Sequence, residues 1–242
     1  MWFFDQLDVS DPASVTNLED FIKTQFGKLD ILVNNAGITG ATVDADALAA
    51  SGFSTGGERK PIDLSKLVIP NYKSVEKAFN TNYYGAKRMT EALVPLLQLS
   101  DSPRIVNVSS DMGQLKNIPS GWAKEVLTDV DNLTEGKLDE VLTQFLKDFK
   151  EEGSLETKGW PSLMSSYIVS KAALNAYTRI LAKKYPSFCI NCVHPGYVKT
   201  DITYDTGQLS VDEGAESPVR LALLPNGGPS GVFFFRTEEA PF

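Results

Sequence analysis

The chain has 242 residues, enough for one sizeable α/β domain or two small ones. Its fractions of 42% hydrophobic and 22% charged residues are ordinary for a soluble globular protein. Its net charge of −8 argues against a nucleic-acid or anionic-membrane partner, because both favour clustered lysine and arginine. No run approaches the roughly 18 apolar residues of a membrane span, and the first residues lack the basic flank and apolar core of a signal peptide. We therefore expect a cytoplasmic protein.

Short apolar strands alternate along the chain with longer amphipathic helices, the pattern of a parallel α/β sheet. In the first half, Asp11 and Pro12 suit the N-cap and first turn of a helix, and Gly27 suits its C-terminal end. The elements predicted there are a strand from Phe3 to Val9, a helix from Asp11 to Gly27, a strand over Ile31-Leu32-Val33, loop-like residues 38–70, and a helix from about Val75 to Leu97 with its last turn kinked by Pro95.

In the second half a helical unit interrupts this alternation. Apolar residues at helical spacing predict an amphipathic helix that Gly153 closes, and they are Leu138, Val141, Leu142, Phe145, Leu146 and Phe149. The other predicted elements are a strand from Arg104 to Val108, a helical insertion over residues 113–162, a helix from Ser165 to Lys184, a strand from Cys189 to Val193 and a final strand from Gly231 to Phe235. Since no repeat or linker is visible, we predict a single domain over residues 1–242.

The two cysteines and the single histidine cluster near one predicted strand. Cys189 and Cys192 have the spacing of a redox pair or half a zinc site. In a strand, however, residues three apart point to opposite faces, which favours two small buried residues. We predict no metal site, and we interpret His194 as structural or pocket-lining.

Tyr167 and Lys171 lie four residues apart in a predicted helix, and therefore on one face about 6 Å apart along its axis. An ammonium about 4–6 Å from a tyrosine lowers its pKa from about 10, which suits proton transfer to a ketone during hydride transfer. The spacing alone is weak evidence, because Tyr83-x-x-x-Lys87 repeats it. Only the first pair is flanked by strands that end in Ser109-Ser110 and in Pro195-Gly196, at the sheet edge where ligands bind.

Five short motifs follow one another along the chain: Asn34-Asn-Ala-Gly37, Asn82-Tyr-Tyr-Gly85, Val106-Asn-Val-Ser-Ser110, Tyr167-x-x-x-Lys171 and Pro195-Gly-x-Val-x-Thr200. Their order and their places at strand and helix ends resemble the short-chain dehydrogenases/reductases over essentially the whole chain. The resemblance implies a Rossmann-like doubly wound parallel sheet. It also implies an oxidoreductase that moves hydride between a nicotinamide cofactor, expected to be NADP, and a small-molecule ketone, aldehyde or alcohol.

The resemblance implies four catalytic residues. Tyr167 would donate the proton, and Lys171 would lower its pKa and hold the nicotinamide ribose. Ser110 would hydrogen-bond the substrate carbonyl, with neighbouring Ser109 as the less favoured choice. Asn82 would anchor a water that links Lys171 to solvent.

The resemblance also implies a set of cofactor contacts. Asp8 would contact the adenine, and Asn35, Ala36 and Gly37 would lie along the adenosine. The loop of Pro195, Gly196, Val198 and Thr200 would border the nicotinamide, with Val198 and Thr200 on its carboxamide. Alternatively, Asn34 and Asn35 chiefly satisfy backbone groups, and Asp8 is a turn residue at a strand end.

The helical insertion between Ser110 and Tyr167 distinguishes a subgroup of the family. It resembles that of the monomeric plant reductases of terpenoid and alkaloid ketones, the neomenthol dehydrogenase and salutaridine reductase group, and is similar to that of animal carbonyl reductases. In that group the insertion is thought to cover the surface that other members use to oligomerise. The resemblance therefore implies a monomer.

The chain departs from the family in lacking a Thr-Gly-x-x-x-Gly-x-Gly turn, which binds the cofactor pyrophosphate. The family's first two strands are also absent, so we expect an N-terminally truncated chain whose strand Ile31-Leu32-Val33 forms an exposed sheet edge. A catalytically silent binding or regulatory protein, or a non-functional fragment, is therefore the alternative to an active enzyme. A hydrolase that uses Ser110 is disfavoured, because the chain has no Gly-x-Ser-x-Gly elbow.

Overall fold

The computed structural model describes residues 6–43, 68–69, 71–151 and 155–242. In chain order its elements are helix α1 (Pro12–Phe26), strands β1 (Ile31–Asn34), β2 (Thr42–Val43) and β3 (Val68–Ile69), helices α2 (Tyr72–Asn82) and α3 (Tyr84–Leu97), strand β4 (Arg104–Val108), helices α4 (Trp122–Thr128), α5 (Glu135–Lys150) and α6 (Ser165–Lys184), strand β5 (Cys189–His194), helix α7 (Val211–Ala222), and strands β6 (Phe233–Phe235) and β7 (Glu238–Ala240).

The main sheet has the strand order β1-β4-β5-β6-β7, and its first four strands are parallel. Asn34 lies opposite Asn107, and Val108 lies opposite Val193, so β1, β4 and β5 end side by side. The predicted parallel α/β sheet is therefore confirmed. Within the described residues β1 pairs only with β4, which makes it the expected sheet edge.

The sheet is covered on both faces. In β4, Ile105 belongs to the large apolar core shared with α2, α3, α5 and α6, whereas its neighbour Val106 packs in a smaller cluster with Leu221 and Ala222 of α7. This alternation follows from the strand geometry, in which successive side chains point to opposite faces. A strand buried on both faces explains the continuous apolar run of β4.

The N-terminal segment differs in part from its prediction. Residues 6–9 form no strand, while Phe3 lies outside the described residues. The Asp8 N–H donates to Ser14 Oγ at 2.9 Å, and its carbonyl accepts from the Asp11 N–H at 3.1 Å, so this backbone leads into a helix rather than a sheet ladder. The helix itself is confirmed, with Asp11 as N-cap and Gly27 left-handed at φ 74°.

The helix predicted from Val75 to Leu97 is two helices. Asn71 caps α2, which ends at Asn82, and α3 begins at Tyr84 and continues through Pro95 to Leu97. The break lies where α3 approaches the N-terminal segment, because a Cβ on Gly85 would lie 2.7 Å from Val9 Cγ2. It places Asn82 at a helix end beside the loop after β1.

The insertion folds into helices α4 and α5 and packs on the rest of the molecule. Phe145 of α5 is fully buried, with its ring centroid 5.3 Å from that of Phe79 of α2 and 5.1 Å from that of Trp160. The predicted amphipathic helix is confirmed, although it ends at Lys150. Gly153, predicted to close it, lies outside the described residues.

The C-terminal strand is shorter than predicted. Gly231 has a φ of 78° and donates its N–H to Ile190 O at 2.7 Å, so the ladder of β6 begins only at Phe233. Strand β7, with Glu238 and Glu239, runs antiparallel to β6 and was not predicted. Because glutamate has low strand propensity, the sequence of β7 does not itself predict a strand, and the turn before β7 positions it.

No described helix has the length and apolarity to cross a membrane.

Candidate active site

The carboxyl ends of β1, β4 and β5 lie together, as expected for a ligand site in an open α/β sheet. Three segments leave the sheet there, over residues 35–38, 109–113 and 195–200. The N-terminal half of α6 packs against the middle segment, because a Cβ on Gly113 would lie 2.7 Å from the Lys171 carbonyl carbon. The side chains predicted to act on substrate come from these segments and from α6.

Tyr167 and Lys171 lie on one face of α6, as predicted, with the Lys171 ammonium 5.8 Å from the centroid of the Tyr167 ring. Lys171 is buried, and its Nζ donates to Val108 O, the last carbonyl of β4, at 2.8 Å. Burial lowers the pKa of Lys171 to about 8, against a smaller opposing effect of the Cys192 thiol. At neutral pH this leaves the ammonium mostly protonated.

The pKa of Tyr167 differs in direction from its prediction. Burial raises it, the hydrogen bond with Ser110 opposes the rise, and the charge of Asp111 adds to it. The expected lowering is not found, because loss of solvent around the phenol is the largest cause of the shift and raises the pKa. The phenol therefore keeps its proton at neutral pH.

Of the two adjacent serines, Ser110 is the one that reaches Tyr167. Ser110 caps the 3-10 turn Asp111–Gly113: its Oγ accepts from the Met112 N–H at 3.2 Å and donates to Asp111 Oδ1 at 3.1 Å. The Ser109 N–H donates to Val193 O at 2.8 Å, and its buried Oγ has no hydrogen-bond partner among the described residues. The favoured assignment of Ser110 rests on this difference.

Asn82 joins the loop after β1 to α6. Its side chain exchanges two hydrogen bonds of 2.8 Å with the Ile38 backbone, and its Nδ2 also donates to Ser170 Oγ at 2.9 Å. Gly37 lies close to both Lys171 and Asn82, since an added Cβ would lie 3.3 Å from Lys171 Nζ and 3.5 Å from Asn82 Oδ1. Asn82 and Lys171 therefore face the same small space, as the predicted proton relay requires.

Asn34 belongs to a buried polar ladder that the sequence analysis missed. Asn34 Nδ2 donates to Thr90 Oγ1 at 3.2 Å and to Asn107 Oδ1 at 2.8 Å, and Asn107 Nδ2 donates to Thr178 Oγ1 at 2.9 Å. Asn34 therefore bonds side chains rather than the backbone groups suggested above. Neighbouring asparagines on paired strands, with a threonine on the following helix, were the available signal.

The remaining predicted adenosine contacts lie nearer the surface. Asn35 and Ala36 are exposed beside the end of β1. Asp8 is exposed, and its Oδ1 accepts from the Ser10 N–H at 2.8 Å and from the Ser10 hydroxyl at 2.6 Å. These bonds lower the pKa of Asp8 and give it the turn role named as its alternative.

The segment after β5 is held rigidly. Gly196 has a φ of 99° in contact with Leu209, and Val198 forms a β-bridge with Leu209. The Thr200 N–H donates to Thr203 Oγ1 at 3.1 Å, and that hydroxyl donates to Val198 O at 2.6 Å. These contacts fix the backbone of the loop predicted to border the nicotinamide, which Pro195 begins.

The cysteines and the histidine lie near strand β5. Cys192 is buried, which raises the pKa of its thiol to about 12, and Cys189 is a second free thiol. The His194 ring packs at a tilt against that of Phe235 with centroids 4.8 Å apart, and burial lowers the pKa of His194. Within the described ranges, no group of three or more His, Cys, Asp or Glu side chains could hold a metal ion.

The donor set suits the nicotinamide half of a dinucleotide. The Lys171 ammonium and the hydroxyls of Tyr167 and Ser110 are donors for ribose and carbonyl oxygens. The unpartnered Ser109 hydroxyl leaves a polar atom at the same strand end for a further bond. The residues therefore fit the cofactor's reactive half, whereas the 242-residue sequence has no glycine-rich turn for its pyrophosphate.

Comparison with known proteins shows what the chain is similar to. A model of the short chain dehydrogenase family matches residues 1–55. A (+)-neomenthol dehydrogenase of Arabidopsis thaliana is 57% identical over 99% of this chain and 79% of that protein. The rat protein named carbonyl reductase [NADPH] 3 is 36% identical over 92% of this chain and 72% of its own length.

A solved structure extends the similarity to three dimensions. The structure of salutaridine reductase from Papaver somniferum matches with a TM-score of 0.89 and 51% identity, covering 96% of this chain and 81% of that chain. Together these matches confirm the predicted oxidoreductase fold and family. The chain belongs to the short-chain dehydrogenase/reductase family.

Proposed function

We propose that this chain is an NADPH-dependent carbonyl reductase that converts a small apolar ketone or aldehyde to an alcohol, or the reverse. The observation that carries the proposal is the meeting of Ser110, Tyr167, Lys171 and Asn82 at the ends of three parallel strands. Names of relatives add support, since one similar protein is a dehydrogenase and others are reductases.

A nicotinamide cofactor held at this site would supply the hydride that the carbonyl carbon accepts. Ser110 donates a hydrogen bond to the carbonyl oxygen, which stabilises the negative charge that develops there. The Tyr167 hydroxyl gives its proton to the same oxygen. Because burial raises the pKa of Tyr167, the phenol carries its proton before the substrate binds.

Lys171 and Asn82 restore the proton and hold the site together. With a pKa of about 8, Lys171 exchanges protons readily near neutral pH. The two hydrogen bonds of Asn82 hold the backbone at Ile38 in place, and Asn82 would hold a water between the Lys171 ammonium and solvent. Lys171 would also bind the nicotinamide ribose, as the family resemblance implies.

The remaining cofactor contacts follow from the segments at the sheet edge. Pro195, Gly196, Val198 and Thr200 would lie along the nicotinamide, while Asn35, Ala36 and Gly37 would line the adenosine. Asp8 would contact the adenine with the carboxylate oxygen that Ser10 leaves free. The choice of NADP over NAD is supported by the NADPH in the name of the rat relative.

The substrate we propose is a cyclic ketone of terpenoid or alkaloid type. The names of the similar proteins contain neomenthol and salutaridine. The buried packing of the insertion supports a monomer, because α5 uses its apolar face inside the same chain.

Turnover tests the proposal directly. The purified chain, mixed with NADPH and a panel of cyclic ketones, should consume NADPH at 340 nm and yield the alcohol. Tyr167→Phe should lower the rate by about 100-fold or more, since positioned acid catalysis contributes at least that much. Equal rates for the wild type and the variant would contradict the assignment of Tyr167.

The alternative is a catalytically silent binding protein that keeps the residues of the site. This alternative predicts weak or absent cofactor binding. Fluorescence titration with NADPH separates the two. A micromolar dissociation constant would support the enzyme and show that the loops described above suffice for binding.

A further inference from the structure

A buried amide in the middle of α6 bonds to the turn that carries Ser110. Asn175 follows Tyr167 by eight residues, which is about 12 Å along the helix axis. Its side chain is 2% exposed, and its Nδ2 donates to the Gly113 carbonyl at 3.0 Å. Gly113 is the last residue of the short 3-10 turn that Ser110 caps. The hydrogen bond therefore joins the helix of the proposed proton donor to the turn of the proposed carbonyl-binding serine.

We propose that Asn175 is a positioning residue for the reduction: its hydrogen bond to Gly113 O holds the Ser110 turn against α6 and so sets the distance between Ser110 and Tyr167. This proposal rests on the function proposed above. Asn175 does not touch the reacting atoms and acts through the turn. The distance matters because Ser110 and Tyr167 must reach the same carbonyl oxygen, and a displacement of about 1 Å can slow a reaction by about 100-fold.

The turn and the helix are in direct backbone contact one helical turn before Asn175. An added Cβ on Gly113 would lie 2.7 Å from the Lys171 carbonyl carbon and 2.8 Å from Lys171 Cβ. This contact stops the turn from coming closer to α6, but it does not stop the turn from moving away or sliding along the helix. The bond from Asn175 is directional and opposes both movements.

Hydrogen bonds within the turn carry this hold to Ser110. The Gly113 N–H donates to Ser110 O at 3.0 Å, and the Met112 N–H donates to Ser110 Oγ at 3.2 Å. Asn117 Nδ2 also donates to the Asp111 and Met112 carbonyls at 2.8 and 3.1 Å. Because the turn is braced in this way, a displacement of Gly113 moves Ser110 with it.

Two substitutions on α6 separate positioning from stability. Asn175→Leu is similar in volume and removes one contact, since Asn175 Oδ1 has no hydrogen-bond partner among the described residues. Thr178→Val is the matched control. Thr178 is fully buried on the same helix, and its Oγ1 accepts from Asn107 Nδ2 of β4 at 2.9 Å, away from the turn.

The two variants should differ in activity rather than in stability. Both lose a buried hydrogen bond, so both should lower the urea midpoint of unfolding by similar amounts. Only Asn175→Leu should lower kcat for ketone reduction, by about tenfold, with KM for NADPH within about twofold of wild type. A wild-type kcat in Asn175→Leu, or an equal fall in Thr178→Val, would overturn the proposal. Asn175→Ala removes the same bond without bulk and replaces Asn175→Leu if leucine does not fit.

A double-mutant cycle tests whether Asn175 acts through Ser110. Once Ser110→Ala has removed the hydroxyl, Asn175→Leu has nothing left to misplace. It should then lower the residual kcat by less than about twofold. A tenfold loss in the Ser110→Ala enzyme, the same as in wild type, would show that Asn175 affects the rate by another route and would overturn the proposal.

Hydrogen exchange followed by mass spectrometry reports on the turn without any turnover. The amides of residues 110–117 should exchange faster in Asn175→Leu and Asn175→Ala than in wild type and Thr178→Val, because the turn has lost its bond to α6. Unchanged exchange would overturn the role of Asn175. A wild-type chain that reduces no ketone would overturn the proposed function instead, while the exchange rates would still decide whether Asn175 holds the turn.

Discussion

Gly37 shows how little space separates the groups of the site. An added Cβ would lie 3.3 Å from Lys171 Nζ, closer than side chains usually approach, so the lysine or the loop must move by a few tenths of an ångström. Gly37→Ala should therefore lower kcat by about fivefold, because small misplacements of catalytic groups are costly. Gly136→Ala is the control, since a Cβ there has open space on the exposed side of α5. A Gly37→Ala enzyme with wild-type kcat would contradict the close contact.

Lys171 should make stability depend on pH. Its folded pKa of about 8 lies below the ordinary lysine value of 10.5, so the unfolded chain binds more protons between these values. Stability relative to Lys171→Met should therefore be lowest below pH 8 and rise by up to about 3 kcal/mol as pH approaches 10.5. Urea unfolding of both proteins at several pH values measures this difference. A constant difference between pH 7 and 10.5 would show that Lys171 is not desolvated.

The residues of the site could be predicted from the sequence, but the directions of their pKa shifts could not. Tyr167 and Lys171 share a helix, so spacing alone places them together. The sign of the Tyr167 pKa shift depends on burial, which is a property of the packed site.

At the scale of elements, the polar ladder of Asn34, Asn107 and Thr178 ties β1 to β4 and β4 to α6. Asn107→Leu keeps the volume but removes both bonds, leaving one Asn34 N–H without its acceptor. We expect it to lower the free energy of unfolding by about 1–3 kcal/mol. Asn132→Ala, at an exposed turn, should change it by less than about 0.5 kcal/mol. Equal effects of the two substitutions, measured by urea unfolding, would contradict the ladder.

Local signals explain which elements were predicted correctly. Helix α1 has an N-cap residue and a C-terminal glycine in its own sequence. Helix α6 and strand β4 were likewise predicted from their own residues. The break at Tyr83 was missed because it depends on the contact of Gly85 with the distant residue Val9. The turn at residues 6–9 was missed because it depends on a hydrogen bond between Asp8 and Ser14 that no hydrophobic pattern marks. Strand β7 has no apolar pattern of its own and is formed by pairing with β6.

At the scale of the whole molecule, the insertion is part of one core rather than an appendage. Phe145 of α5 contacts the rings of Phe79 and Trp160 and is fully buried. Phe145→Ala should lower the free energy of unfolding by about 3–5 kcal/mol and shift the whole unfolding transition at once. Leu99→Ala, at a side chain 62% exposed, should have almost no effect. An early separate transition in Phe145→Ala would show that the insertion folds independently.

The activity proposed for the molecule is hydride transfer at the end of β4 with Tyr167 as proton donor. The most direct measurement uses NADPH with deuterium at the transferable C4 position and a cyclic ketone that the chain turns over. We predict that mass spectrometry finds the deuterium on the new carbinol carbon, and that Tyr167→Phe forms at least about 100-fold less of this product. Labelled alcohol formed equally fast by the variant, or no labelled alcohol from the wild type, would contradict the account.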